Sequence, residues 1–384
     1  YNPYWGIQDG DIRNSRERKI AEPILMLNHL FAADNIRIST GVAYQFGTNA
    51  RSRLGYYNAP NPDPTYYRYL PSYYINSPIG ANFESARIAE EAFLQTPQLR
   101  WNTLYKSNLN NFPIGMAAYL LHDDVVNDNQ ITINTVTNLK LNEHLKLDVG
   151  TTYIKLNSTN YAEITDLLGA AYHEDKDAFS DTRNDVNGEL LKFKGDKFNY
   201  HYTLEASDWN SFVQVRSNYK LWDSFLAFQY GKTEYRREGL FKNERFIGSL
   251  GKSETASFTN MGAKGGFTYK FNGRHWMGVH GVYLKKAPTL QNSFVNPREN
   301  NQLVPNLQQQ TNTSLDFNYF LRLPKLMGRL TGFYTRFQNT TDINFFFVDA
   351  GVGSDFVQEV VTDLDKLHMG VEFGLEYQIS PTVK

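Results

Sequence analysis

The side chains best suited to recognition lie in one tyrosine-rich stretch. Tyr66, Tyr67, Arg68 and Tyr69 are flanked by Tyr56, Tyr57, Tyr73 and Tyr74 and followed by Trp101. Rigid rings give a large contact area at small entropic cost, so Tyr66, Tyr67, Arg68, Tyr69 and Trp101 are candidate contacts for a ligand or partner. The competing use of the same rings is a small core of the segment's own. Pro60, Pro62, Pro64 and Pro71 fix turns in it either way. A basic run, Arg13, Arg16, Arg18 and Lys19, suits an anionic substrate or a phosphate, or a solvated face paired with carboxylates. His173, Glu174, Asp175, Asp177, Asp181 and Asp185 carry donors for a hard cation. Their spacing lacks the glycine and terminal glutamate of a calcium loop, so no metal is assigned.

Catalysis finds little support. Glu372 and Glu376 share one side of a strand, but two strand repeats part them by about 13 Å, too far for paired acid–base work. Cysteine is absent, which removes thiolate nucleophiles, thiolate metal sites and disulfides together. Neither HExxH nor GxSxG occurs, and Gly351-Val352-Gly353 lacks the strand–turn–helix setting of a phosphate cradle. The reading is a non-enzyme with no cofactor. Lys plus Arg number 39 against 40 Asp plus Glu, which argues against a diffuse basic surface for nucleic acid.

The elements that position these residues are written in period two. From Ile36 one side runs Ile36, Ile38, Thr40, Val42, Tyr44, Phe46, and the other side Arg37, Ser39, Gly41, Ala43, Gln45, Gly47. Near the end Met369, Val371, Phe373, Leu375 and Tyr377 alternate with Gly370, Glu372, Gly374, Glu376 and Gln378. Between them Phe267, Tyr269 and Phe271 alternate with Lys264, Gly266 and Lys270. A chain that is 15% aromatic yet has a mean hydropathy of −0.51 disperses its hydrophobicity in just this way. No apolar run approaches the roughly 20 residues of a spanning helix. Strands of about twelve residues, tilted, cross about 30 Å and outlast those of a soluble sandwich.

Short turns are expected at Ala33-Asp34-Asn35, Asn142-Glu143-His144, Leu221-Trp222-Asp223, Asn272-Gly273-Arg274 and Leu323-Pro324-Lys325. Asn272-Gly273 is expected to supply the positive φ of a tight hairpin. Between them fall long segments, 49–128, 158–209, 237–254, 287–309 and 338–365. Short and long connections alternate, as in a membrane barrel with tight inner turns and long outer loops. Eleven strands are expected, at 20–33, 35–48, 129–141, 144–157, 210–220, 224–236, 256–272, 274–286, 310–322, 325–337 and 366–379. The fold class is therefore all-β, a transmembrane up-and-down antiparallel β-barrel with some helix in its outer loops. An odd strand count does not close a single-chain bacterial barrel, so residues 1–384 read as part of one. Ile38, Val42, Phe267, Val371 and Leu375 are expected to face lipid, and Arg37, Gln45, Lys264, Glu372 and Glu376 the lumen.

A succession of short motifs then resembles the barrel of TonB-dependent outer-membrane receptors, in the branch that often carries a carboxypeptidase-regulatory-like N-terminal domain. They are Asn2-Pro3-Tyr4-Trp5-Gly6, Arg13-Asn14-Ser15-Arg16, Asn28-His29, Tyr56-Tyr57-Asn58-Ala59-Pro60-Asn61-Pro62 and Tyr67-Arg68-Tyr69-Leu70-Pro71. Further on come Asn272-Gly273-Arg274-His275, Phe294-Val295-Asn296-Pro297-Arg298, Val304-Pro305-Asn306-Leu307 and His368-Met369-Gly370-Val371-Glu372. The resemblance implies about half of a 22-stranded barrel. It implies a Gram-negative outer-membrane location and active import of a scarce or bulky nutrient. The implied partners are a plug domain of the same full-length protein, the TonB complex, a surface lipoprotein, membrane lipid and lipopolysaccharide. The plug, the TonB box and the C-terminal strands are expected outside this stretch. Gly41, Gly47, Gly150, Gly370 and Gly374 are expected to leave room for that plug. A passive porin and a structural or secretion-associated barrel are the alternatives.

Overall fold

A computed structural model describes residues 2–349 and 354–380, so Gly351-Val352-Gly353 lies outside the described residues. Eleven long strands are described: β1 (Ile24–Ala33), β2 (Ile36–Tyr56), β3 (Tyr119–Lys140), β4 (Leu145–Asp166), β5 (Lys197–Asn218), β6 (Trp222–Gly239), β7 (Ala256–Lys270), β8 (His275–Lys286), β9 (Gln310–Arg322), β10 (Leu326–Asp349) and β11 (Ser354–Tyr377). Each pairs antiparallel with its sequence neighbour, in one 13-stranded sheet that also holds Arg18–Ala21 on β2 and Gly251–Lys252 on β6. This is up-and-down order, the topology of an outer-membrane barrel.

The register fixes which side chains share a face. One row of directly opposed residues runs Ala32, Arg37, Asn138, Asp148, Gln214, Ala227, Lys264, Val282, Ser314, Thr335, His368. The adjacent row, on the other face, begins Ile38, Thr137, Val149, Val213, Phe228, Ala263, Tyr283. Since side chains alternate along each strand, the first face is mainly polar and the second mainly apolar across the band these rows span. In a bilayer the apolar face must meet lipid and the polar face the lumen. Polar ties run across the inner face: Asp148 accepts from Asn138 (2.6 Å) and Gln214 (3.2 Å) and is bridged by Arg216 (2.6 Å).

The strands outrun their expected limits at the long-loop end. Those expected at 129–141, 144–157, 210–220, 325–337 and 366–379 become Tyr119–Lys140, Leu145–Asp166, Lys197–Asn218, Leu326–Asp349 and Ser354–Tyr377. The segment 338–365, expected as a loop, is instead largely hairpin, with Phe345 opposite Gln358. Two cores cover this extension, one on each face. Leu120, Ile164, Phe198, Tyr200 and Tyr202 pack on the inner side, and Leu99, Trp101, Leu104, Tyr119 and Leu121 on the outer. The first long connection carries α1 (Pro71–Ile75), α2 (Phe83–Gln95) and α3 (Trp101–Leu109), and supplies the outer cover through Leu99 and α3. Asn82 caps α2 by accepting from the Ser85 amide at 2.9 Å.

Three local expectations are corrected. Asn272 and Gly273 do not take positive φ. The Asn272 side chain instead accepts from the Arg274 and His275 amides at 2.8 and 3.1 Å, a local mimic of a backbone turn. Asn142 does the same for His144 and Leu145 at 2.8 and 2.9 Å. The turn expected at Leu221-Trp222-Asp223 sits just before it, closed by Tyr219 N on the Trp222 carbonyl at 2.8 Å. The strand expected over 20–33 is interrupted between Ala21 and Ile24. Opposite the break, Gly47 has φ 122°, and a Cβ there would sit 2.0 Å from the Ala21 carbonyl oxygen.

Candidate functional site

Arg37, Gln45, Lys264, Glu372 and Glu376 all lie on the polar face, and Ile38, Val42, Phe267, Val371 and Leu375 on the apolar one. Four of the five inward glycines have neighbours within 4 Å of where a Cβ would stand. Phe212 covers Gly150, with ring atoms from 2.3 Å of where its Cβ would stand, and Phe333 covers Gly370 from 3.0 Å. Asn28 stands 3.2 Å from the Gly41 position, and of the five only Gly374 has nothing within 4 Å. Neighbouring rings and side chains have taken the space that glycine provides.

The tyrosine stretch forms a connected, partly exposed cluster. Tyr66 meets Tyr67 and Tyr69 edge-on at 4.8 and 5.3 Å, and Tyr67 meets Tyr73 at 5.6 Å. Arg68 lies over the Tyr67 ring at 5.8 Å, and Tyr69 donates to the Asn61 carbonyl at 3.0 Å. Trp101 does not join them. It is fully buried, donates from Nε1 to the Arg13 carbonyl at 3.1 Å, and carries the Arg13 guanidinium on its ring at 4.5 Å. Its work is packing.

The basic run is divided between the two faces. Arg13 pairs with Asp166 at 2.6 Å and Lys19 with Asp123 at 3.1 Å on the outer side. Arg16 stacks on Tyr4 at 4.6 Å. Arg18 stands opposite Arg51, on the inner face. In the acidic run most groups have near partners. Asp175 accepts from Asn184 and from the Asn199 amide, both at 2.8 Å. Asp177 accepts from the Ser180 amide at 2.8 Å, and Asp181 from the Tyr57 hydroxyl. His173 is buried edge-on to Tyr57 and Phe198. No group of three metal-ligating side chains occurs among the described residues.

The inner face of the extension holds residues that the sequence did not single out. Asp124 accepts from the Tyr200 hydroxyl at 2.7 Å and from Arg53 Nε at 3.3 Å, and Arg298 lies 3.8 Å away. Arg298 stacks on the Tyr200 ring at 4.5 Å. Burial by itself would raise the Asp124 carboxyl; the charge of Arg298, the Tyr200 hydroxyl and Arg53 outweigh it and hold the group below its ordinary range. Deeper, Arg237 is 1% exposed beneath Tyr202. It donates to the Pro297 carbonyl at 2.6 Å, to the Ser249 carbonyl at 2.9 Å and to the Asn301 side chain, so it ties two outer loops to β6. Pro297 and Arg298 end one of the short motifs of the sequence, and no motif marks the others. They come from β2, β3, β5, β6 and the loop before β9, and only the register gathers them.

No family model and no curated protein matches this sequence. Solved structures do. The copper transporter OprC matches with TM-score 0.56 at 10% identity, over 96% of this chain and 46% of its own. The ferric citrate transporter FecA in the unliganded form matches with TM-score 0.50 at 10% identity, over 94% of this chain and 40% of its own. At that identity the likeness is one of fold alone. The chain spans less than half the length of either.

Proposed function

We propose that residues 1–384 are part of the barrel of an outer-membrane receptor that imports a scarce or bulky solute, energised through TonB. A plug domain and the remaining strands belong to the same full-length protein in this reading, and Arg37, Gln45, Lys264, Glu372 and Glu376 meet that plug. Tyr66, Tyr67, Arg68 and Tyr69 are left for a partner at the surface.

One observation carries the choice of a plugged receptor over an open porin. The polar face holds large rings as well as charges: Phe212, Phe225, Trp276, Phe320 and Phe333 all point inward with Asp148 and Lys264. Trp276 and Phe320 stack there at 5.3 Å. Rings facing a water-filled pore forgo burial worth roughly 25 cal/mol per Å². Against a folded plug they regain it. The inner face thus supports packing against protein.

Conductance of the full-length protein in planar bilayers tests this. The expected result is a closed barrel whose solute uptake needs energised cells. A large, steady open channel in the absence of TonB would overturn the import reading and favour the porin.

A further inference from the structure

The inner face of the extension gathers several arginines about one central carboxylate, Asp124. Arg51 stands directly opposite Asp124 in the register, Arg53 lies two residues further along the same face, and Arg18 is directly opposite Arg51. Arg298 reaches the same carboxylate from the loop before β9. Glu299, the sequence neighbour of Arg298, feels its charge, and Asp63 is linked to this corner through Tyr4, which feels both Asp63 and Arg53. Arg53 and Arg298 therefore reach Asp124, with Arg51 opposite it in the register and Arg18 one strand further along the same row.

Their donors are largely unspent. Arg53 uses its Nε on Asp124 and Arg18 its Nε on Asn49, at 3.3 Å each. Arg298 approaches Asp124 only to 3.8 Å. The Arg53 and Arg298 side chains stay 41% and 54% exposed, so a solute can reach them. Each guanidinium presents a planar fork of five N–H groups that matches an oxyanion two bonds at a time. Like charges set opposite each other across a sheet destabilise it, so the Arg18–Arg51 pairing costs stability unless something negative settles between. Tyr200 backs Arg298 and shares Asp124 with it, which fixes the direction of the fork.

We propose that Arg51, Arg53 and Arg298 form an anion seat in the vestibule that takes a solute bearing carboxylate or phosphate groups, with Asp124 as the internal counter-ion that holds the seat together when it is empty. The proposal rests on the import reading for its place in transport, but the seat is a property of this face alone. The face is turned away from the apolar rows, so the oxyanion belongs to a solute and not to a lipid headgroup.

The test is titration of the purified full-length protein with pyrophosphate by calorimetry, in detergent and in nanodiscs. Pyrophosphate is expected to bind, more weakly as salt screens the charges. Arg53→Gln and Arg298→Gln should each weaken it about tenfold, as expected for one charge-assisted pair. Asp124→Asn keeps the shape and removes the competing carboxylate, so it should tighten binding, a sign that simple loss of fold does not produce. Affinity should be equal in nanodiscs of anionic and zwitterionic lipid; competition by anionic lipid would overturn the assignment to a solute. Absence of binding, indifference to the arginine changes, or weakening by Asp124→Asn would overturn the seat. Binding with this variant pattern but without energised uptake in cells would remove the import reading and leave the seat standing. Energised uptake without pyrophosphate binding would do the reverse.

Discussion

Phe212 occupies the space that a side chain at Gly150 would need: the two are direct cross-strand partners, and ring atoms stand 2.3 and 2.8 Å from where the Cβ would be. The same arrangement recurs where Phe225 and His280 both close over Gly266, each from 2.4 Å. Ring and glycine are one packing unit on the inward face. Such pairing compensates for the weak strand propensity of glycine and pins the register.

Gly150→Ala should therefore destabilise the barrel by about 1–3 kcal/mol, the usual range for overpacking. Phe212→Leu in the same protein should recover part of that loss. Loss of the heat-modifiable folded band on electrophoresis gives the measurement. Equal stability of Gly150→Ala and the wild type would contradict the pairing.

The face assignment gives a sharper contrast at two adjacent residues. Val213 lies on the apolar face beside Val149, and Gln214 on the polar face beside Asp148. Val213→Arg should cost about 2–4 kcal/mol in a bilayer, where Gln214→Arg should cost little. Urea unfolding in liposomes reads both. Reversal of the two results would turn the sheet inside out.

Most of the membrane band was legible in the sequence, and the reason is the solvent. In the import reading, lipid on one side and water or plug on the other impose strict alternation between Ile36 and Phe46. Beyond Gly47 the same strand continues as Thr48, Asn49, Ala50, Arg51, Ser52 and Arg53 with no lipid to select for it, and the period vanishes. In β10 and β11 a second cause operates. Asn339 and Asp363 have φ of 56° and 58°, and the register shifts between Phe337 and Thr340. Such bulges change the phase of alternation, so a period-two reading stops there. The anion seat was invisible for a third reason: Arg53, Asp124 and Arg298 are remote in the chain and share no motif. Arg18 was noticed only as a member of a basic run.

Trp101 and the tyrosines should separate experimentally. Truncating the fully buried Trp101 to Ala should cost about 3–5 kcal/mol of local stability and open the first long loop to protease. Tyr66→Ala and Tyr69→Ala remove partly exposed rings, so they should leave the protease pattern intact and weaken only capture of a surface partner. Proteolysis of Tyr66→Ala as fast as of Trp101→Ala would place both in one core.

Two buried histidines make the extension sensitive to acid. His122 and His173 flank the Phe198 ring at 5.2 and 5.5 Å. Burial pushes each down to about 4, against the opposing pull of Asp124 on His122 and of the Ala117 backbone on His173. An opened loop restores the ordinary value near 6.5. Between those limits the open form binds more protons than the closed one, so stability is complete above about pH 6.5 and falls as the pH drops toward about 4. Hydrogen exchange of residues 117–124 and 164–175 should therefore quicken at pH 5 relative to pH 7.5, after correction for intrinsic rates. His173→Gln should flatten part of that dependence. Identical protection at both pH values would show that the histidines are not shut away.

Arg237 makes the most exacting prediction, because its charge is buried with carbonyl and amide oxygens as its hydrogen-bond partners. Burial lowers it to about 10, against the pull of Tyr202, so it stays protonated at neutral pH. Its donors reach Pro297, Ser249 and Asn301, which means that one side chain joins the loop before β9 and the turn after β6 to the barrel wall. Arg237→Leu strands those acceptors in a dry site, at about 1–3 kcal/mol for each group left unpaired. Arg237→Lys keeps the charge but cannot span three directions from one planar fork, so it should recover little. Both variants should speed proteolysis within 240–255 and 287–309 and leave the Ile36–Phe46 band folded. Since Arg298 sits on the loosened loop, pyrophosphate affinity should fall with them although Arg237 never touches the anion. Intact loops in Arg237→Leu would show that the rest of the loop packing suffices, and that Arg237 is not its anchor.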